Sequence, residues 1–280
     1  SSCSIRCVGG RALGRARAAR AALHVGGAGR DAMAKEEPPD FGDAEYWEGH
    51  YSEATREAEP LFDWLLKWED LRGHLEPLLA AAFEPSILHL GTGNSPLPEA
   101  MYDAGYRRQT CVDVSVAVMN HMRARNAASR PELRWIAADC TDMGAAVPEG
   151  HFDMVIEKCT MDAFFCHDLH ALLLARFVKE AFRTTAPHGT FVSISYHRPR
   201  EVTAWLSHKA FRWRVRCELL PRKSGAVVDA SGENPRARHN YMFICSKDAG
   251  ADQALEELWP SLRDRVEARP DSDLSSEEDD

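Results

Sequence analysis

The strongest constraint on this chain is a rhythm. Between about residues 40 and 248, short apolar runs of strand character alternate with longer segments of helical character. The strand-like runs are Ser86–Leu90, Arg108–Asp113, Leu133–Ala137, Phe152–Glu157 and Thr190–Tyr196. Apolar residues at helical spacing predict helices over Leu61–Ala82, Pro98–Tyr106, Ser115–Arg125 and Leu169–Thr184, and Ser115 is placed to cap the third. Trp213–Leu220 and Asn240–Ser246 look like a closing antiparallel pair. Strands that alternate with helices form βαβ units, because parallel neighbours need a crossover long enough to hold a helix. The expected fold is α/β, a mixed, mainly parallel seven-stranded sheet with helices on both faces.

In such a sheet, ligands bind beyond the carboxyl ends of the strands, where the strand order reverses. The residues just after each strand therefore carry the information. Gly91-Thr-Gly93 follows the first, and its glycines permit turn conformations and close approach of backbone to a ligand. Asp113 ends the second strand and is placed to accept from both hydroxyls of a ribose. Asp139, with Cys140 beside it, follows the third and suits an adenine amino group. Glu157 and Lys158 face the same mouth from the fourth. A nicotinamide or flavin dehydrogenase shares the sheet and the ribose acid. Its Gly-x-Gly-x-x-Gly turn needs a third glycine beside a pyrophosphate, and Pro96 stands at that position here. A nucleoside cofactor without phosphate, S-adenosylmethionine, needs only two glycines and explains Asp139 as well. The pattern therefore favours a methyltransferase.

Composition narrows the alternatives. A net charge of -9 argues against direct binding to a nucleic-acid backbone, which calls for a basic face. No apolar run approaches the roughly 18–20 residues of a membrane span. The eight cysteines include no Cys-x-x-Cys pair, and Cys111, Cys140, Cys159, Cys217 and Cys245 lie in or beside strand-like runs, as reduced thiols do. His167 and His170 beside Cys166 lack a fourth ligand at a useful spacing, so no metal is expected. Residues 1–38 are expected to be a flexible Arg-rich leader, either an organelle transit peptide or sequence upstream of a start at Met33. The expected location is the cytoplasm, or a mitochondrion or plastid if the leader is a transit peptide. Residues 39–248 make the folded domain. Residues 249–280 are expected to be an acidic tail, partly helical and then disordered.

Longer motifs make the assignment specific. Glu45-Tyr-Trp-Glu-Gly-His-Tyr51, Phe62-Asp-Trp64 and Leu88-His-Leu-Gly-Thr-Gly-Asn-Ser95 resemble the methyltransferase-like 13 group, which includes the elongation factor 1-alpha lysine methyltransferases. Phe152-Asp-Met-Val-Ile-Glu-Lys-Cys-Thr-Met-Asp-Ala163 is similar to that group's strand-four signature. Val112–Ser115 and Leu133–Trp135 with Asp139 match too, so the resemblance covers about residues 43 to 247. It implies a Rossmann-like class I methyltransferase that uses S-adenosylmethionine and acts on a protein lysine, with a translation elongation factor as the expected partner.

The same resemblance implies roles for individual residues. Trp47, Tyr51 and Phe62 would close over the cofactor, and Gly91 would contact it from the first turn, where Gly93 completes the glycine pair. Asp113 with Val114 would hold the ribose, Asp139 with Cys140 the adenine, and Lys158 would lie beside the sulfonium. The chain departs from the group at Phe62 (commonly Tyr), Thr92 (often Cys), Cys159 and His188 (both commonly Gly). A lysine acceptor must arrive neutral, and Glu157 and Asp162 are expected to orient it as catalytic acids. The competing expectation is that Asp162 caps a helix and Glu157 pairs with Lys158. The strand-four loop Glu157-Lys-Cys-Thr160 is unlike the Asn-Pro-Pro-Tyr loop of base amino-methylation. A small-molecule acceptor, or a catalytically silent binding module, is the alternative function. Trp64, Trp68, Trp205 and Trp213 are expected mostly in the core.

Overall fold

The computed structural model describes residues 39–57, 60–221, 239–248 and 251–271. The Arg-rich leader before residue 39 and the acidic end from residue 272 lie outside them.

Before the sheet come α1 (Ala44–Glu57) and α2 (Trp68–Leu79). Then β1 (Ile87–Leu90), α3 (Leu97–Asp103), β2 (Gln109–Asp113), α4 (Val116–Asn126) and β3 (Arg134–Ala137) form the first half. The second half is β4 (Phe152–Lys158), α5 (Thr160–Phe164), α6 (His170–Thr184), β5 (Thr185–Ser195), α7 (Pro199–Leu206), β6 (Trp213–Pro221), β7 (His239–Lys247) and α8 (Ala251–Ala268). The sheet order is β3-β2-β1-β4-β5-β7-β6. β1 pairs in parallel with both β2 and β4, so the order reverses beside it. β7 runs antiparallel to β5 and β6. This is the expected mixed, mainly parallel α/β sheet of seven strands.

Every residue of β1 and β2 is buried, as expected of parallel strands covered on both faces. One face packs against α6 and α7 through Phe177, Phe182, Phe191, Trp205 and Trp213. The other packs against α2 through Leu71, Leu75, Ile156 and Ile194. A third cluster lies under α1 and α4 and includes Tyr51, Met119, Met122 and Trp135. Trp68, Trp205 and Trp213 are core residues, as expected. The helical part of the C-terminal segment, α8, buries Leu255, Leu262 and Val266 in the α6 cluster.

One expectation about elements needs correction, and two helices were not anticipated. The first long helix was expected from Leu61, but α2 starts at Trp68. Residues 61–67 are held out of helical form by Leu65 at φ +60° and by side-chain bonds of Asp63, and Asp70 accepts from the Lys67 N–H at 3.2 Å to start the helix. The pre-sheet aromatic segment is itself a helix, α1. A short helix, α7, whose second residue is Arg200, follows β5 at Pro199, where a proline opening a helix loses no bond.

Lys247 ties the end of the sheet to two helices. Its side chain is 0% exposed and donates to Phe182 O and Thr185 O, each at 2.9 Å, and to Asp252 at 2.6 Å. The first two carbonyls lie at the C-terminal end of α6, where backbone acceptors lack helical partners and a cation is favoured. Replacing Lys247 with Met leaves buried acceptors unpaired. The expected loss is about 2–3 kcal/mol, a fall in Tm of about 5–10 °C. Thermal denaturation checks it, and an unchanged Tm would contradict the role.

Candidate functional site

A cavity opens beyond the carboxyl ends of β1, β2 and β4, and α1 and residues 61–64 lie over it. All ten residues expected at the cofactor line it: Trp47, Tyr51, Phe62, Gly91, Gly93, Asp113, Val114, Asp139, Cys140 and Lys158.

Asp113 is the organising group. One carboxylate oxygen accepts from the Gly93 N–H at 2.8 Å and the other from the Ser115 N–H at 3.0 Å. Burial pushes its pKa up while these backbone donors pull it down. Each oxygen keeps a lone pair, so the group can still accept from two hydroxyls side by side. Asp139 is exposed, and one of its oxygens accepts from Thr141 N at 2.8 Å, with Cys140 buried beside it.

The glycines serve a purpose the sequence does not announce. Gly91 and Gly93 adopt φ +59° and +51°. A Cβ on Gly91 would lie 2.2 Å from the Thr160 hydroxyl, and one on Gly93 would lie 2.2 Å from the Tyr51 hydroxyl. The space is needed for the protein's own side chains: Gly91 admits the turn after β4, and Gly93 admits α1. That helix is anchored further. Glu48 accepts from Ser115 Oγ at 2.7 Å and Ala117 N at 3.3 Å, at the start of α4 where negative charge is favoured. The Trp47 indole donates to Phe41 O at 2.7 Å, and its ring stacks on Tyr51 at 5.8 Å.

Phe62 and Trp64 line the cavity edge to face, 4.9 Å apart, and Asp63 between them turns inward. Asp63 accepts from Lys158 Nζ at 2.5 Å and Ser95 Oγ at 2.7 Å, and Lys158 also donates to Trp64 O at 2.7 Å. Neighbouring residues of a strand point to opposite faces, so Glu157 and Lys158 do not meet. The expected Glu157–Lys158 pair is replaced by Asp63–Lys158.

Glu157 lines the cavity, but its carboxylate is engaged. It accepts from Thr160 N at 2.9 Å, Met161 N at 3.2 Å and the Ser193 hydroxyl. Burial, reinforced by Asp162, pushes its pKa up to about 8. Asp162 is not among the cavity-lining residues. It lies in the first turn of α5 and accepts from the Ser195 hydroxyl and from Tyr196 N at 3.4 Å, with His197 3.9 Å away. Burial raises its pKa, and His197 opposes that shift. The two expected catalytic acids thus hold the turn between β4 and α5. Cys159, where the resemblance leads one to expect Gly, occupies φ +66° in that turn.

Sequence reasoning missed Asp63, Glu48 and His89. His89 lines the cavity from β1. The Gln109 amide donates to Pro98 O and Tyr106 O, so its oxygen accepts from His89 Nε2 at 2.6 Å. Burial lowers the His89 pKa to about 4, leaving the ring neutral at pH 7. Asp63 lies inside the Phe62-Asp-Trp64 motif, where only the aromatics drew a role. Among the described residues, Lys158 is the sole lysine or arginine lining the cavity, against Asp113 and Asp139, while burial keeps Glu157 largely protonated at pH 7. Such walls suit a nucleoside without phosphates and repel a pyrophosphate.

Residues 87–189 match a family model described as a methyltransferase domain. The chain is 30% identical over 208 residues to the eEF1A lysine and N-terminal methyltransferase of Danio rerio, covering 74% of this chain and 28% of that protein. It is 30% identical over 184 residues to EEF1A lysine methyltransferase 4 of Bos taurus, covering 63% of this chain and 69% of that protein. The chain thus spans little more than a quarter of the length of the first relative. A solved structure described as the conversion of a disulfide bond into a thioacetal group during echinomycin biosynthesis aligns with 79% of this chain and 98% of its own. Its TM-score is 0.51 at 16% identity, a likeness of fold.

Two tests follow from the geometry. Gly93→Ala forces a side chain into left-handed backbone and against Tyr51. It should cost about 2–3 kcal/mol, and adding Tyr51→Phe should return about 1 kcal/mol of that. Strictly additive effects in urea unfolding would count against the contact. For Glu157, a folded pKa raised to about 8 means stability is greatest below its ordinary value of 4.5. That stability is lost as pH rises through the folded value. The advantage of the wild type over Glu157→Gln should therefore shrink between about pH 5 and about pH 9, measured by denaturation midpoints. A constant difference would refute it.

Proposed function

The chain belongs to the EEF1A lysine methyltransferase family of class I, S-adenosylmethionine-dependent methyltransferases, and on that premise we propose that it methylates a lysine side chain of a protein. The observation that carries the proposal is Asp113, a buried carboxylate at the end of β2 whose two oxygens are fixed by backbone donors. It suits the two hydroxyls of a ribose. When bound, S-adenosylmethionine supplies a sulfonium methyl group already activated for displacement.

The chain's own residues supply position. Asp113 and Val114 would hold the ribose, and Asp139 with Cys140 would meet the adenine. Trp47, Tyr51 and Phe62 would exclude water from above, and Lys158 would lie beside the sulfonium. Alignment of this kind accounts for most of the rate in a displacement whose leaving group is already good. The acceptor lysine enters past the β4–α5 turn and must be neutral there. Glu157 and Asp162 act as positioning residues, shaping that turn through Thr160, Met161, Ser193 and Ser195.

The relatives' names point to eEF1A as the acceptor protein, and we take it as the first substrate to test. Labelled methyl transfer from S-adenosylmethionine to purified eEF1A, and to a cell extract resolved by size, is the experiment. The wild type should label a discrete protein. Asp113→Ala should abolish labelling and weaken cofactor binding about a hundredfold, the worth of two hydrogen bonds to a charged acceptor. Cofactor binding without any protein label would refute the protein acceptor.

A further inference from the structure

We propose that Asp63 is a positioning residue that sets the charge balance of the cofactor's seat. By pairing with Lys158 it lets the cavity accept the sulfonium methyl donor rather than favour the product, which lacks the sulfonium charge. The inference rests on the methyl-transfer reading above.

Lys158, the last residue of β4, is 6% exposed and lines the cavity, and the Asp63 side chain behind it is 4% exposed. An ammonium has three N–H donors. Two of them go to residues 63 and 64, to Asp63 Oδ1 at 2.5 Å and Trp64 O at 2.7 Å. The third is left for a ligand. Ser95 Oγ donates to the same Asp63 oxygen at 2.7 Å and accepts from Leu97 N at 3.1 Å. The pair is therefore built from three separate elements: the segment before α2, the turn after β1 and the end of β4.

Asp63 Oδ2 is buried with no hydrogen-bond partner. Packing alone does not explain a half-satisfied buried carboxylate, because a neutral side chain would fill the space at lower cost. Compensation of Lys158 at the cavity wall does explain it. Asp113, Asp139 and Glu157 also line the cavity, but each is held by backbone N–H donors, and none of them contacts Lys158 Nζ.

The charge matters because of what methyl transfer does to sulfur. The sulfur–methyl bond breaks, the nitrogen–methyl bond forms from the amine lone pair, and the sulfur keeps the bonding electrons. The sulfonium becomes a neutral thioether, and the positive charge passes to the acceptor nitrogen, which leaves the site as a methylated ammonium. Donor and product thus differ by one positive charge and a methyl group. A bare ammonium at Lys158 would disfavour the donor and leave the affinity for the product's sulfur unaffected. With Asp63 in place, the local charge is balanced and the product gains no such advantage.

The test is calorimetric titration of the full chain with S-adenosylmethionine and with S-adenosylhomocysteine. Asp63→Asn keeps an acceptor for Lys158 and Ser95 but removes the charge. It should lower the donor-to-product affinity ratio about tenfold or more, the order expected when a unit charge is unmasked near the sulfonium at an effective dielectric of ~20. Lys158→Gln, which leaves Asp63 uncompensated, should shift the ratio the opposite way, toward the donor. The double variant should return it near the wild-type ratio. If Asp63→Asn weakens both ligands equally, the residue is only structural and the proposal falls. If Asp63→Asn does not fold, an unchanged ratio in Lys158→Gln overturns it instead. A wild-type chain that binds neither ligand overturns the methyl-transfer reading and this inference together, whereas equal binding changes in the variants overturn this inference alone.

Discussion

The amide of Gly93 donating to the carboxylate of Asp113 is the bond on which the rest of the site depends. It joins the turn after β1 to the end of β2, at the place where the strand order reverses. The same residue, lacking a side chain, admits the Tyr51 hydroxyl, so α1 can lie across the mouth. Turn, sheet and covering helix therefore meet at one glycine. Glu48, bound at the start of α4, holds the other side of that cover. Disturbing Gly93 would reach all three at once, and a substitution in the lid would be felt at the ribose acid.

The end of β4 divides its work between two faces. Glu157 points toward β5 and α5, where backbone and serine donors absorb it. Lys158 points toward the segment before α2, where Asp63 and Trp64 absorb it. The alternation of a strand is enough to separate two neighbouring charges into two independent networks. One network shapes the turn by which an acceptor would approach. The other fixes the segment that carries Phe62 and Trp64 over the cavity.

Much of this was legible in the sequence. The order of strands and helices, the glycine turn, and acids after β2 and β3 depend on local pattern, and each appears where the pattern put it. The lid aromatics were legible only through a longer motif, because nothing about Trp47 or Tyr51 alone says that they lie near a turn some 40 residues later. The partner of Lys158 was not legible. Adjacency in sequence suggested Glu157, while the true partner lies 95 residues earlier and is brought in by tertiary packing. The start of α2 was misjudged for the same reason. Residues 61–67 have helical spacing, yet the bonds of Asp63 and the left-handed Leu65 outweigh that weak local preference. The glycines were correctly singled out, but their cause was only half visible: the space they keep is filled by Thr160 and Tyr51.

The central claim is that Asp113 is the ribose acceptor of a nucleoside cofactor bound beneath α1. A crystal structure of the chain with S-adenosylhomocysteine tests it most directly. The account predicts both ribose hydroxyls within hydrogen-bond distance of the Asp113 carboxylate, with the adenine beside Asp139 and Cys140. A ligand bound elsewhere, or one whose ribose makes no contact with Asp113, would contradict it.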